Sequence, residues 1–148
     1  MASLTPEMVD YLNRLKLGFV ATVSPDNTPN VSPKGTIIPW GEEHLVFADI
    51  KSPQTMKNLQ QNPSIEINVV DPLLRRGYRF KGTATILSDG DEFTKIITHY
   101  KETGIKSEIL SVVKIKLDEI REVVSPLYDL GMTEHEIKDK WKKLYSDF

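Results

Sequence analysis

Residues 17–35, LGFVATVSPDNTPNVSPKG, decide the fold of this chain. Apolar side chains recur at every second position from 17 to 23, and a period of two is typical of a β-strand. The segment PDN at 25–27 supplies turn chemistry, and a second extended run follows from Asn30 to Ile38. Two extended runs joined by a short turn predict an antiparallel hairpin.

Outside this hairpin, strands and helices continue to alternate along the chain. Extended runs are predicted at residues 44–49, 65–69, 78–86 and 113–117. Helices are predicted to begin at Thr5, at Ser52, at the pair Asp89 and Glu92, and at the capping box formed by Thr133 and Glu136. The pattern favours a mainly β fold with flanking α-helices. Its antiparallel sheet of six or more strands closes into a barrel, with N-terminal, inserted and C-terminal helices.

Length and composition set the outer limits on function. The 148 residues predict a single domain, 1–148, that is large enough to bury its own core. A net charge of −2 gives no overall attraction to nucleic acid or to an acidic membrane. The absence of cysteine excludes disulfides, thiol catalysis and thiolate zinc sites. Because the sequence contains neither a signal peptide pattern nor an apolar run of membrane-spanning length, we expect a cytoplasmic protein.

No catalytic or metal-binding motif stands out. His44, His99 and His135 are far apart in the sequence, and each is typical of a solvated surface histidine. The chain has no HExxH, no GxSxG and no glycine-rich nucleotide loop, and its carboxylates are scattered. We therefore assign no catalytic residue and no metal site from the sequence.

Two polar segments flank the third predicted strand, at residues 30–36 and 48–57. The second segment contains the start of a helix, whose free backbone N–H groups form a natural seat for phosphate. Ser52 and Thr55 add hydroxyl groups there, and Gly35 allows a flat ring to approach the backbone. The cations available to neutralise an anion are Lys34, Lys51 and Lys57. In the alternative interpretation, Ser52 only caps the helix and the lysines are solvated.

A basic stretch with interleaved aromatic residues covers 71–81, DPLLRRGYRFK. Such a pattern can bind single-stranded nucleic acid, but in this acidic chain it favours an ordinary strand with an exposed basic face. A third possibility is that Arg75, Arg76, Arg79 or Lys81 reaches a ligand or a partner subunit. The C-terminal stripe that contains Trp141 and Tyr145 is typical of core or dimer packing.

The order of these segments resembles the pyridoxamine 5′-phosphate oxidase-like family of FMN-binding split β-barrels. The resemblance covers residues 10 to 90. It depends on the hairpin ATVSPDNTPNVSP, the strand-to-helix junction FADIKSPQTMKNLQQNP and the strand FKGTA, in that order and at the proper spacing. The later helix, strand and terminal helix are compatible with the family but are not diagnostic of it.

The resemblance implies a homodimer with two FMN molecules at the subunit interface. By analogy, the flavin ring and its ribityl arm would lie along Asn30, Val31, Ser32, Lys34, Gly35 and Thr36. The 5′-phosphate would be surrounded by Ser52, Thr55, Met56 and Lys57, and the approach to it would be lined by Asp49, Ile50 and Lys51.

One departure from the family pattern affects the phosphate. Many relatives carry a lysine at the place of Thr55, often next to an arginine at the place of Gln54. Such a cation makes a charge-assisted contact of about 1.5–3 kcal/mol, so FMN affinity is reduced unless Lys34, Lys51 or Lys57 takes over this contact.

The resemblance predicts a flavoprotein oxidoreductase that passes electrons from a reduced nicotinamide or another donor to a small substrate. Pyridoxamine phosphate oxidation itself is not expected, because the C-terminal residues TEHEIKDKWKKLYSDF do not match the substrate-binding segment of those enzymes. Two alternatives remain open. One is a deazaflavin-dependent reductase, whose longer phosphate-bearing tail would suit the extra lysines and the pair Arg75 and Arg76. The other is a non-catalytic flavin carrier or sensor.

Overall fold

The computed structural model describes residues 2–148. A seven-stranded antiparallel sheet, in the order β2-β1-β5-β6-β7-β4-β3, curls into a half-barrel. Its elements are α1 (Pro6–Leu15), β1 (Gly18–Val23), β2 (Pro29–Lys34), β3 (Ile38–Pro39), β4 (His44–Asp49), α2 (Pro53–Gln61), β5 (Ser64–Asp71), β6 (Arg76–Leu87), α3 (Gly90–Glu102), β7 (Ser111–Val124), a 3-10 turn (Pro126–Tyr128) and α4 (Glu134–Tyr145). The mainly β class with N-terminal, inserted and C-terminal helices is confirmed.

The predicted hairpin forms from β1 and β2, with Ala21 opposite Val31 and Phe19 opposite Pro33. The second extended run is interrupted, however. It leaves β1 after Lys34 and resumes as the two-residue strand β3, which pairs with β4 on the opposite side of the sheet. This short strand was not predicted, because two residues cannot display a period of two.

The last strand, β7, is 14 residues long and runs well past the predicted end at Leu117. Beyond that point the outer positions are charged, so the alternation of apolar residues fades although the backbone stays paired with β6 as far as Val124. The register shifts between Lys81 and Gly82, where a side-chain Cβ would lie 2.2 Å from the carbonyl oxygen of Lys116. Glycine is required there by the close approach of β7.

The half-barrel encloses the larger of two apolar clusters. Val20, Phe47, Ile67, Phe80 and Ile115 have no exposed surface, and α1 covers them with Leu12 and Tyr11. Burying one such side chain contributes about 1.5–3 kcal/mol. The smaller cluster lies under α3 and contains Val46, Ala48, Ile96, Tyr100 and Val112.

All four predicted helices begin where expected, but the capping contacts differ from the predictions at α3 and, as described below, at α2. Thr5 and Thr133 cap α1 and α4, and both helices begin with a reciprocal capping box. The predicted capping pair of α3 is wrong: the Asp89 side chain makes no capping hydrogen bond. Glu92 instead accepts from Lys114 on β7 at 2.8 Å, because α3 packs across that strand and a full ammonium group is the stronger partner. No helix within residues 2–148 is long and apolar enough to cross a membrane.

Candidate functional site

The two predicted polar segments meet where strand β2 passes the start of helix α2. β2 is the first strand in the sheet order, so it pairs only with β1 and leaves its other edge uncovered. Lys34 of this strand contacts Ser52, the residue that precedes α2, and Ser32 binds the same ammonium group. Segments that are separated by about twenty residues in the sequence are thereby brought into hydrogen-bonding contact.

The ammonium group of Lys34 is held by two hydroxyl groups. Its Nζ donates to Ser52 Oγ at 2.6 Å and to Ser32 Oγ at 3.0 Å. Within residues 2–148, no carboxylate lies within 4 Å of this nitrogen. Burial lowers the pKa of Lys34, and the more distant charge of Asp49 partly opposes that effect. The result is a half-buried cation whose charge is not neutralised by the part of the chain that the structure describes.

Ser52 occupies the N-cap position of α2, but its side chain makes no capping hydrogen bond. The interpretation of Ser52 as a simple helix cap is therefore wrong, because its hydroxyl accepts from Lys34 instead. The first N–H groups of any helix have no intrahelical partner, and Pro53 has no N–H to donate. The backbone N–H groups of Gln54 and Thr55 at this helix start thus add to the positive potential around Lys34.

These side chains line a groove of about 220 Å³. Its lining consists of Asn30, Val31, Ser32, Lys34, Lys51, Ser52, Pro53, Gln54 and Thr55. Among these residues there are two lysines, three hydroxyl groups and two amide side chains, and none is acidic. A groove with this set of donors is suited to an anion that accepts several hydrogen bonds.

The remaining predicted site residues lie outside this groove. Gly35 and Thr36 line a neighbouring cavity, where Tyr100 Oη donates to the Thr36 carbonyl oxygen at 2.7 Å. Asp49 is buried and accepts from Ser111 Oγ at 3.2 Å, while Ile50 packs on the cluster under α3.

Two predicted residues on α2 also do not line the groove. Met56 is buried in the larger apolar cluster, and Lys57 is exposed on the helix surface. Of the three lysines proposed to replace the cation missing at Thr55, only Lys34 and Lys51 line the groove. The assignment of these outlying residues to a ligand stays a prediction.

Asn58 is a structurally important residue that the sequence analysis missed. Its side chain is completely buried, and its Nδ2 donates to Thr22 Oγ1 on β1 at 2.9 Å. Its Oδ1 accepts from Gln54 Nε2 at 2.8 Å, which holds Gln54 at the groove. The available signal was the spacing of Thr55, Asn58 and Leu59, which share one helix face.

The basic stretch after β5 is used mainly within the molecule. The Arg75 guanidinium lies 3.7 Å from the ring centre of Trp141 and donates to Tyr145 Oη at 2.7 Å, so it docks α4. Arg76 pairs with Glu122 at 2.9 Å, and Arg79 pairs with Glu66 at 3.6 Å. These contacts agree with a basic strand face that is neutralised by neighbouring acids.

Comparison with known proteins places the chain among proteins of this architecture. A family model described as pyridoxamine 5′-phosphate oxidase matches residues 4–124. A search of curated proteins returned no match.

Three solved structures illustrate the likeness. HupZ of Group A Streptococcus is 30% identical, with a TM-score of 0.75 over 82% of this chain and 95% of that one. An FMN-binding protein of Syntrophomonas wolfei is 17% identical, with a TM-score of 0.68 over 80% of this chain and 84% of that one. An F420 reductase is 23% identical, with a TM-score of 0.61 over 80% of this chain and 98% of that one. The last two likenesses establish the fold alone.

Proposed function

The chain belongs to the pyridoxamine 5′-phosphate oxidase family, and on that premise we propose that it binds FMN and acts as a flavin-dependent oxidoreductase. One observation carries this proposal. The Lys34 ammonium is held between Ser32 and Ser52 at the start of α2, with no carboxylate in ion-pair distance within residues 2–148. A phosphate group supplies the missing negative charge.

The groove offers a phosphate dianion two cations and several neutral donors. Lys34 and Lys51 neutralise charge, and the hydroxyls of Ser32, Ser52 and Thr55 donate hydrogen bonds. This arrangement replaces the lysine that many relatives carry at the place of Thr55. Lys34 is already positioned by two hydroxyl contacts, so little side-chain entropy is lost when the anion binds.

The flavin supplies two-electron chemistry when bound, and the chain's own residues position it. Asn30 and Val31 extend the groove along β2, which is the direction that the family resemblance assigns to the ribityl arm and ring. The structural similarity to the FMN-binding protein of Syntrophomonas wolfei supports FMN as the ligand. No histidine, tyrosine or carboxylate belongs to the groove lining that the structure describes, and its two lysines serve here as cations, so the protein contributes binding, orientation and charge.

We expect the active form to be a homodimer. Leu17, Phe19 and Val31 are exposed by 50%, 46% and 64%, and they cluster at the β1–β2 edge beside the groove. An exposed apolar cluster next to a binding site is typical of a surface that another subunit covers. A second subunit seated there would complete the cofactor site from the open side.

A deazaflavin is the second candidate ligand, and the F420 reductase neighbour supports it. Both ligands would place phosphate in the same groove. They are distinguished by titrating the protein separately with FMN and with the deazaflavin, and by identifying the molecule that co-purifies with the protein by mass spectrometry.

The phosphate assignment is tested by comparing FMN with riboflavin, which lacks the phosphate, by fluorescence quenching. We expect Lys34→Met to weaken FMN binding about 10- to 150-fold, which corresponds to loss of one charge-assisted contact of about 1.5–3 kcal/mol. Riboflavin binding should change little. Lys57→Met is the matched control, because Lys57 is an exposed lysine on α2, the helix whose start borders the groove, but it lies outside the groove. Equal losses for FMN and riboflavin would show that Lys34 does not contact phosphate.

Electron transfer is tested separately by mixing the FMN-loaded protein with NADH or NADPH without oxygen. Bleaching of the flavin band at about 450 nm is the expected result. Retention of FMN with no reduction by any donor would support the flavin carrier or sensor instead.

A further inference from the structure

A second cavity lies directly beside the phosphate groove, on the other side of the chain that leaves β2. It occupies about 370 Å³, which is within the range of about 300–1,000 Å³ that small-molecule sites span. Its walls come from the end of α1, the β2–β3 connection and the C-terminal end of α3. The groove and the cavity share no lining residue, although Lys34 lines one and Gly35 the other.

The lining of this cavity combines apolar walls with one positive charge, which comes from the exposed Lys16. Ile38, Ile105 and the ring of Tyr100 form apolar walls. Lys16 contributes an ammonium group and His99 an imidazole, whereas no carboxylate belongs to the lining that the structure describes. The Tyr100 hydroxyl is already used by the Thr36 carbonyl, so the ring, not the hydroxyl, is offered to a ligand.

Gly35 keeps this cavity open. A Cβ placed there would have only one neighbour within 4 Å, the carbonyl oxygen of Lys16 at 3.6 Å, which is an ordinary contact. The backbone conformation at Gly35 is also one that other residues adopt, because its φ lies outside the left-handed region. The backbone therefore tolerates a Cβ at this position, and because Gly35 lines the cavity, we expect a larger side chain there to occupy part of it.

We propose that this cavity is a separate ligand site for a small aromatic carboxylic acid. The ring packs between Ile38, Ile105 and Tyr100, and the carboxylate faces the Lys16 end. Binding of the acid in this cavity does not depend on the proposed function. Its role as the reaction partner of the flavin does.

The test uses 2-naphthoate as the probe, with binding followed by amide chemical shifts in ¹H–¹⁵N spectra of the full chain. We expect a Kd of about 1 mM or tighter. Shift changes should concentrate at Gly35, Thr103 and Ile105. Neutral 2-naphthalenemethanol should bind at least about fivefold more weakly, since it keeps the ring but lacks the charge.

Two variants locate the probe. Gly35→Leu should abolish binding by filling the cavity, and Lys16→Met should weaken naphthoate at least about fivefold without affecting the neutral analogue. Lys95→Met is the matched control, because Lys95 is exposed on α3 outside the lining. Failure of the probe to bind, or binding that Gly35→Leu leaves unchanged, would overturn the proposal.

Competition separates this site from the flavin site. Naphthoate and FMN should bind at the same time, and naphthoate should bind even if the protein takes no FMN. If stoichiometric FMN displaces naphthoate, the cavity belongs to the flavin ring and the separate site is refuted.

Discussion

Replacing Asn58 by alanine removes the amide that ties helix α2 to strand β1 inside the barrel. The wild-type side chain has no exposed surface, and it donates to Thr22 Oγ1 at 2.9 Å while accepting from Gln54 Nε2 at 2.8 Å. Thr22 is itself only 3% exposed, so bulk solvent does not reach its hydroxyl in the wild-type fold. The replacement removes these two hydrogen bonds and a longer one, from Asn58 Nδ2 to Ser24 Oγ at 3.5 Å. It also leaves the buried Thr22 hydroxyl without its partner.

The magnitude follows from these contacts. A net hydrogen bond contributes about 0.5–1.5 kcal/mol, and an unsatisfied buried group costs about 1–3 kcal/mol. We therefore expect Asn58→Ala to lower the free energy of unfolding by about 2–6 kcal/mol. For a domain of this size, that corresponds to a fall in Tm of about 4–24 °C.

Urea unfolding followed by circular dichroism measures this loss, with Gln60→Ala as the matched control. Gln60 lies on the exposed side of the same helix, so its replacement should change stability by no more than about 0.5 kcal/mol. A double-mutant cycle with Thr22→Val should give a coupling energy of about 1 kcal/mol. A loss below about 0.5 kcal/mol for Asn58→Ala, together with zero coupling, would refute the role assigned to this amide.

Three further predictions concern other parts of the molecule. Arg75→Ala should release α4, because Arg75 stacks on Trp141 and donates to Tyr145. Amide hydrogen exchange across residues 134–145 should then accelerate. Unchanged protection of these amides would contradict the docking role of Arg75. Burial opposes ionisation of Asp71, but hydrogen bonds from Arg14 and from the backbone N–H groups of Leu74 and Leu73 outweigh it and lower the pKa of this carboxyl group. The ionised Asp71 therefore contributes its full stabilisation above the unfolded pKa of about 3.9, and this contribution is lost as the pH falls through the folded pKa. In Asp71→Asn, the free energy of unfolding should consequently fall less steeply with decreasing pH below about pH 4 than it does in the wild type. Finally, Phe19→Lys should convert the proposed homodimer into monomers by light scattering, whereas Leu130→Lys, at a position that is 78% exposed elsewhere on the surface, should leave the oligomeric state unchanged.

The sequence by itself determined most of the secondary structure and the two halves of the candidate site. Strand β4 has the predicted bounds, and the β1–β2 hairpin follows from alternation and turn residues that act over only a few positions. The helix start at Ser52 and Pro53 was also readable, because proline at the first helical position is a local signal. Local chemistry of this kind is encoded within a short window of the chain.

The tertiary structure decided which polar residues meet. Ser52 has the sequence pattern of a helix cap, and only the tertiary contact between the end of β2 and the start of α2 places the Lys34 ammonium 2.6 Å from its hydroxyl. The sequence offers Lys34 and Lys57 as equally good candidate cations. In the structure, Lys34 is half-buried in the groove, whereas Lys57 is exposed outside it. Burial and proximity depend on contacts between distant segments, so no local pattern distinguishes the two lysines.

The same reason explains Asn58 and Gly35. An asparagine within a helix has the pattern of a surface residue until Thr22 on β1 is known to face it. Lys34 and Gly35 are neighbours in the chain, and the sequence assigned both to one ligand. In the structure Lys34 lines the groove and Gly35 lines the adjoining cavity, because the strand ends there and the chain continues to the opposite edge of the sheet, where β3 pairs with β4.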